Sequence, residues 1–261
     1  MVDEALALHA FDAGPGDLEE RKQLLTTHRR TWMGSQLLLR YLLDSAQSLG
    51  FDRPGVSVLE LGSGGGWMGL NLAARIPVLS ITLSELPAAV LQLQANLERV
   101  AASVGNGLAK RVQIVELDWQ TAESSATAAT TWDWIIGTEL LYSHSVLTAL
   151  THAIDALAGA QTRVLYCHVP GRKPSVDDEM HAEFAARGLT LRPVTWESAG
   201  GAEQQADEAH QAPSGLVEVG SADSADETPW LPDGGLFAQE DDDWRASRPV
   251  PELFEVVRTL C

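Results

Sequence analysis

Apolar and polar positions alternate along the chain in two periods. Val56 to Leu61 is a short apolar run that ends in glycines, which predicts a buried parallel strand, and Trp67 to Ile76 continues it as a helix. The unit then repeats: strand Val78 to Leu83, helix Pro87 to Ala102 with proline in its first turn, and strand Val112 to Leu117. Strand Trp134 to Gly137, helix Ser143 to Leu157 and strand Arg163 to Val169 extend it. A helix from about Val176 to Arg187, a strand Thr190 to Val194 and a last strand Leu253 to Leu260 bring the strands to seven. Alternating strands and helices of this kind predict a doubly wound α/β domain, a mostly parallel sheet covered on both faces. Upstream, Leu24 to Leu49 carries helical spacing at Trp32, Leu37, Leu38, Tyr41 and Leu42, so residues 1–50 read as an N-terminal helical extension that packs over the sheet.

Length and composition fit one domain over residues 1–261: the chain is 45% apolar, long enough for one large core, and without a convincing internal repeat. Even the Leu-rich stretch Leu37 to Leu43 is interrupted by Arg40, well short of the about 18 apolar residues a membrane span needs. Met1 to Ala10 has acids and no basic start, so no secretory leader is expected. Two cysteines, Cys167 and Cys261, form neither a metal cluster nor a disulfide framework, and a reducing compartment, cytosol or nucleus, fits best.

The net charge of -18 argues against nucleic acid as a partner, because phosphate contacts need clustered Lys and Arg. Its distribution is uneven. Ser198 to Trp244 holds 12 Asp or Glu and no Lys or Arg, which leaves the rest of the chain mildly acidic. Residues 198–244 therefore read as a solvated, disordered insertion between the last two strands. Its alternative use is an electrostatic guide for a basic substrate protein.

The stretch VLELGSGGGWMG sets Gly62, Ser63, Gly64, Gly66 and Gly69 at the turn between the first strand and its helix, where small residues let backbone amides approach a ligand. Glu85 ends the second strand 23 residues after Gly62, where a carboxylate can accept two ribose hydroxyls. Both features also suit a dinucleotide. Glu60, two residues before the first glycine, favours a ligand with an amino group and a sulfonium over a pyrophosphate. Asp118 and Trp119, at the end of the third strand, offer an acceptor for an adenine amine and an aromatic face for its ring. The ligand these choices select is S-adenosylmethionine.

Several segments carry a family resemblance: WMGSQLLLRYL, VLELGSGGGWMGL, ITLSELPAAVLQLQANL, VELDW and IIGTELLY. Over about Trp32 to Thr195, and again in the last strand, the chain resembles the seven-β-strand protein lysine methyltransferases. The resemblance implies a Rossmann-like methyltransferase fold with an antiparallel last strand, acting on a protein substrate; a monomer is the expected state. It places Trp32 at the methionine end of the cofactor, Glu60 and the Gly62 to Gly66 loop at its amino-acid portion, Glu85 with Leu86 at the ribose, and Asp118 with Trp119 at the adenine. It also implies that Glu139 and Tyr142 touch the acceptor amine. The family commonly has aspartate at the first of these, so the carboxylate here is one methylene longer. After the fifth strand the family often shows an acid and an arginine; Arg172 matches, whereas His168 does not. A histidine there could take a proton or be structural. Asp177, Asp178 and Glu179 read as a solvated helix start.

Methyl transfer from a sulfonium is an in-line displacement that needs alignment and a neutral nucleophile. A free lysine, with a pKa near 10.4, costs roughly 4 to 5 kcal/mol to neutralise at pH 7. Three rival readings remain: arginine methylation, which would want a pair of acids around a guanidinium; a silent interaction module on the same fold; and an NAD-dependent oxidoreductase.

Overall fold

The computed structural model describes residues 33–77, 79–105, 107–171, 173–196 and 251–258. Two helices come first, α1 (Met33–Asp44) and the short α2 (Ala46–Leu49). The alternating body follows as β1 (Ser57–Leu61), α3 (Trp67–Arg75), β2 (Ser80–Glu85), α4 (Pro87–Val104), β3 (Val112–Glu116), β4 (Trp134–Thr138), α5 (His144–Leu157), β5 (Arg163–His168), α6 (Pro174–Ala186), β6 (Leu189–Pro193) and β7 (Glu252–Arg258). The seven strands form one sheet in the order β3-β2-β1-β4-β5-β7-β6. β7 runs antiparallel to both of its neighbours, and the remaining pairings are parallel.

Period-2 burial explains why the strands read as apolar runs. Val58, Ile81, Leu83, Ile136 and Leu165 face one core, covered by α1, α3 and α4 through Leu38, Leu42, Met68, Leu72 and Leu93. Their neighbours Leu59, Leu61, Ile135, Val164 and Tyr166 face a second core with Leu147, Leu150, Ile154 and Phe184 of α5 and α6. Both faces are therefore apolar, as a covered parallel sheet requires.

Most boundaries shift by one or two residues from the sequence reading, the start of β2 and the end of the last strand among them. β2 begins at Ser80 because the Leu79 amide donates to the Ile76 carbonyl, closing a turn inside the apolar run. The last strand ends at Arg258, and residues 259–261 lie outside the described residues. So do residues 198–244, the part of the extension before Met33, Trp32 and Arg172. Among the described residues no helix is long and apolar enough to cross a membrane.

From β1 the chain moves to β2 and β3 on one side and then crosses to β4 on the other. That reversal opens a crevice at the carboxyl ends of β1 and β4, where doubly wound sheets bind ligands.

Candidate active site

The crevice is floored by the turn after β1. Gly62 is left-handed, with φ of 59°, and a Cβ there would lie 2.5 Å from Leu140 Cδ2 and 3.2 Å from Trp119 Cζ2. Only glycine fits the conformation and the space together. The loop is then clipped from two sides. Ser63 donates its amide to the Ser84 carbonyl at 3.0 Å, while the Ser84 amide donates to Ser63 Oγ at 3.1 Å and Ser84 Oγ donates to the Glu60 carbonyl at 2.7 Å. Asn96 of α4 donates from Nδ2 to the Gly65 carbonyl at 2.8 Å, and Arg99 in turn donates to Asn96 Oδ1. Gly66 begins α3, also in the left-handed region, and its amide donates to the Ser63 carbonyl at 2.8 Å.

Glu85 stands at the carboxyl end of β2, half-buried. In this structure its carboxylate accepts the Gly64 amide at Oε1 and the Leu86 amide at Oε2, both at 2.8 Å, so it joins the loop to the start of α4. Trp119 is half-buried against the second core and lies over Gly62. Asp118 is exposed and accepts the Gln120 amide at 2.9 Å, capping the turn that carries Trp119.

Glu60 sits beneath the loop rather than at its mouth. It is 3% exposed, and it shares a strand face with Val58, so its side chain points at α3. A Cβ on Gly69 would lie 2.2 Å from Glu60 Oε2, which explains the glycine in that helix. The same spot is bordered by Leu83 Cδ2 and Ile81 Cδ1, and Oε2 has no hydrogen-bond partner. Burial pushes the carboxyl up to about 8, the Glu85 charge adds to the rise, and hydrogen bonds from Ser63 and Gly69 oppose it. Its negative charge is thus not standing at neutral pH; a nearby cation would bring it out.

On the other side of the crevice, Glu139 follows β4 with φ of 50°, the one non-glycine left-handed residue among those described. Its amide donates to the Cys167 carbonyl at 2.9 Å and its Oε1 accepts the Gly34 amide at 2.5 Å. The next helix starts beyond Glu139: α5 begins at His144, capped by Ser143, whose Oγ accepts the Val146 amide at 3.3 Å. Leu140 and Leu141 are buried, and Tyr142 is half-buried.

His168 is 2% exposed and its Nε2 pairs with Asp177 Oδ1 at 2.7 Å; Asp177 Oδ2 also accepts the Gly171 amide at 2.7 Å. Asp177, read from sequence as solvated, therefore stitches β5, its following loop and α6 together. Asn96, Ser84 and Gly34 are further contributors that sequence reading did not single out. Asn96 and Ser84 carry a recognisable signal, since buried polar residues on an amphipathic helix and an apolar strand need partners.

These residues fit a sulfonium-bearing nucleoside: a glycine cradle that a Cβ would fill, an aromatic face over it, and a buried, unpartnered carboxylate oxygen beneath it.

A family model described as lysine methyltransferase matches residues 17–180. Among curated proteins, EEF1A lysine methyltransferase 3 of Xenopus tropicalis is 29% identical over 115 residues, covering 43% of this chain and 46% of that protein. A UPF0665 family protein of Schizosaccharomyces pombe is 22% identical over 113 residues, covering 43% of this chain and 33% of its own. The chain thus spans a third to just under half the length of these relatives. Among solved structures, the (4+2)-cyclase SpnF is similar with a TM-score of 0.50 at 16% identity, covering 85% of this chain and 81% of that one. A TehB-like S-adenosylmethionine-dependent methyltransferase of Corynebacterium glutamicum has a TM-score of 0.43 at 14% identity, covering 73% of this chain and 87% of its own.

The sheet order and the glycine loop define a Rossmann-like methyltransferase fold with a crevice suited to S-adenosylmethionine. Within that class, the chain belongs to the lysine methyltransferase family.

Proposed function

We propose that this enzyme methylates the side-chain amine of a lysine in a protein substrate. The observation that carries the reading is the contact across the crevice: Leu140, between Glu139 and Tyr142, packs over Gly62, so the stretch that holds the acid and the tyrosine meets the cofactor loop at Leu140. A side-chain amine entering there meets a carboxylate, an aromatic hydroxyl and an apolar wall.

When bound, the cofactor supplies a methyl group on a positively charged sulfur. The chain's own residues supply alignment and a dry approach. Leu140 and Leu141 exclude water from the acceptor side, which lowers the pKa of an incoming ammonium by desolvation. Tyr142 orients the amine. Glu139, with one oxygen committed to Gly34, steers the cationic chain in and favours its ammonium form, so it is an orienting group and not the base; the proton leaves to bulk water before the amine enters the dry approach.

The test is incubation of the purified chain with methyl-labelled S-adenosylmethionine and a cell lysate, followed by amino-acid analysis of labelled protein. A Glu85→Ala variant, which loses the clip on Gly64, is the control. Label on methyllysine that disappears in the control is the expected result. Label on methylarginine would overturn the lysine assignment, and no protein label despite cofactor binding would overturn the protein acceptor.

A further inference from the structure

Helix α1 is fastened to the carboxyl end of β4 by two contacts that span more than a hundred residues of chain. Gly34 donates its amide to Glu139 Oε1 at 2.5 Å, and Ser35 Oγ lies 2.8 Å from Thr138 Oγ1. Both are in the first turn of α1, whose amides have no partners within the helix and need an outside acceptor. Three features show that the pair is built rather than incidental. Glu139 holds a left-handed backbone that only glycines otherwise adopt among the described residues, and this turns its side chain back toward α1. Its amide is itself pinned to the Cys167 carbonyl. Finally, position 34 is tight: a Cβ would lie 3.0 Å from both Glu139 Cγ and Oε1 and 3.3 Å from Cys167 Sγ, so a side chain there requires its neighbours to give by a few tenths of an ångström. The absence of a side chain at 34 and the length of the acid at 139 are matched to each other.

We propose that Glu139 and Gly34 are a paired positioning device for the cofactor site: the carboxylate locks the start of α1 onto the end of β4, so that cofactor affinity depends on a contact outside the glycine loop. The route is mechanical. The far end of β4 leads through Leu140 onto Gly62, and its Glu139 holds the Gly34 amide, so one hydrogen bond registers the start of α1 against the strand end that reaches the loop. A charged acceptor at a helix start is also the arrangement that the helix dipole favours. This inference does not depend on which acceptor the enzyme methylates, because every readout below is taken without an acceptor.

The experiment measures S-adenosylmethionine affinity by calorimetry and amide exchange across Gly34 to Leu38 in the full chain. Glu139→Ala and Glu139→Asp, which cannot reach the Gly34 amide, should weaken binding about tenfold, the scale of one hydrogen bond to a charged group, and speed exchange in the first turn of α1. Glu139→Gln keeps the reach and an acceptor oxygen, and should hold affinity within about threefold. Gly34→Ala should weaken binding in the wild-type background and cost less in Glu139→Asp, because the shorter acid vacates most of the space that the methyl needs and leaves only the Cys167 Sγ contact. Equal costs of Gly34→Ala in both backgrounds would overturn the pairing. Unchanged affinity in Glu139→Ala and Glu139→Asp, both folded by circular dichroism, would overturn the link to the cofactor. Glu139→Gln behaving like Glu139→Ala would overturn the hydrogen bond as its cause.

Discussion

Asn96, in the middle of helix α4, donates its side-chain amide to the carbonyl of Gly65 at 2.8 Å. A helix that contributes no residue to the loop's own sequence thereby fixes the loop's conformation. Ser63 and Ser84 hold the loop from the strand side, and Asn96 holds it from the helix side. Replacing Asn96 with alanine improves helix propensity but strips the carbonyl of its partner and removes the Asn96 oxygen to which Arg99 donates. We expect Asn96→Ala to lose about 1 to 2 kcal/mol of stability and to weaken cofactor binding about tenfold. Thermal unfolding and calorimetry read the two effects separately. Unchanged affinity would mean that the serine pair and Glu85 suffice.

The His168 and Asp177 pair makes a prediction about structure, not chemistry. Asp177 takes both His168 Nε2 and the Gly171 amide, whereas His168 Nδ1 has no partner. Removing Asp177 would leave a buried imidazole with neither nitrogen bonded and a loop amide without an acceptor. Asp177→Ala should therefore cost roughly 2 to 3 kcal/mol, and Asp177→Asn, which keeps an acceptor oxygen, less than half of that. Urea unfolding checks the order. With the cofactor loop lying across the sheet on β1, cofactor affinity in Asp177→Asn should stay within twofold of wild type; a loss comparable to that of Glu85→Ala would give this pair a part in the site.

The backbone of Glu139 separates two consequences of changing it. At φ of 50° a residue with a Cβ is strained by about 1 kcal/mol, while glycine is not. Glu139→Gly and Glu139→Ala both lose the carboxylate, so Glu139→Gly should be more stable than Glu139→Ala by about 1 kcal/mol although both bind cofactor equally poorly. Equal stability in thermal melts would show that the turn relaxes when the Gly34 contact is lost.

Much of this architecture is legible because a covered parallel strand shows itself as an unbroken apolar run. Val58 to Leu61 and Trp134 to Ile136 are buried on both faces, and Pro87 marks the start of α4. The glycine loop and Glu85 are legible for a similar reason: their spacing is set by one strand-turn-helix-strand unit. The start of β2 is not, because Ile76 to Leu79 stays apolar through a turn whose only signature is Pro77. The pairings Asn96 with Gly65 and Gly34 with Glu139 are hidden because they join positions 31 and 105 residues apart. Asp177 is hidden for a different reason, since it stands beside Asp178 and Glu179 in an acidic run of which it alone binds His168. The side on which Glu60 lies was within reach: period-2 alternation puts it with Val58, on the face toward α3.

That placement of Glu60 determines how stability should respond to pH. A carboxyl pushed by burial from 4.5 up to about 8 binds a proton in the folded chain that the unfolded chain has released at neutral pH. The folded state then binds more protons than the unfolded state between those two values, so stability falls as pH rises. The contribution is fully present below about 4.5 and is lost as pH rises through about 8. Glu60→Gln keeps the shape and cannot ionise. In urea unfolding, wild type minus Glu60→Gln should therefore become less favourable by on the order of 3 kcal/mol between pH 5 and pH 8.5, the difference removing the pH response of every other group. Adding S-adenosylmethionine should flatten that difference, because a cation near the loop stabilises the ionised form. A difference that stays level across the range would mean that water reaches the carboxylate and that Glu60 is ionised throughout.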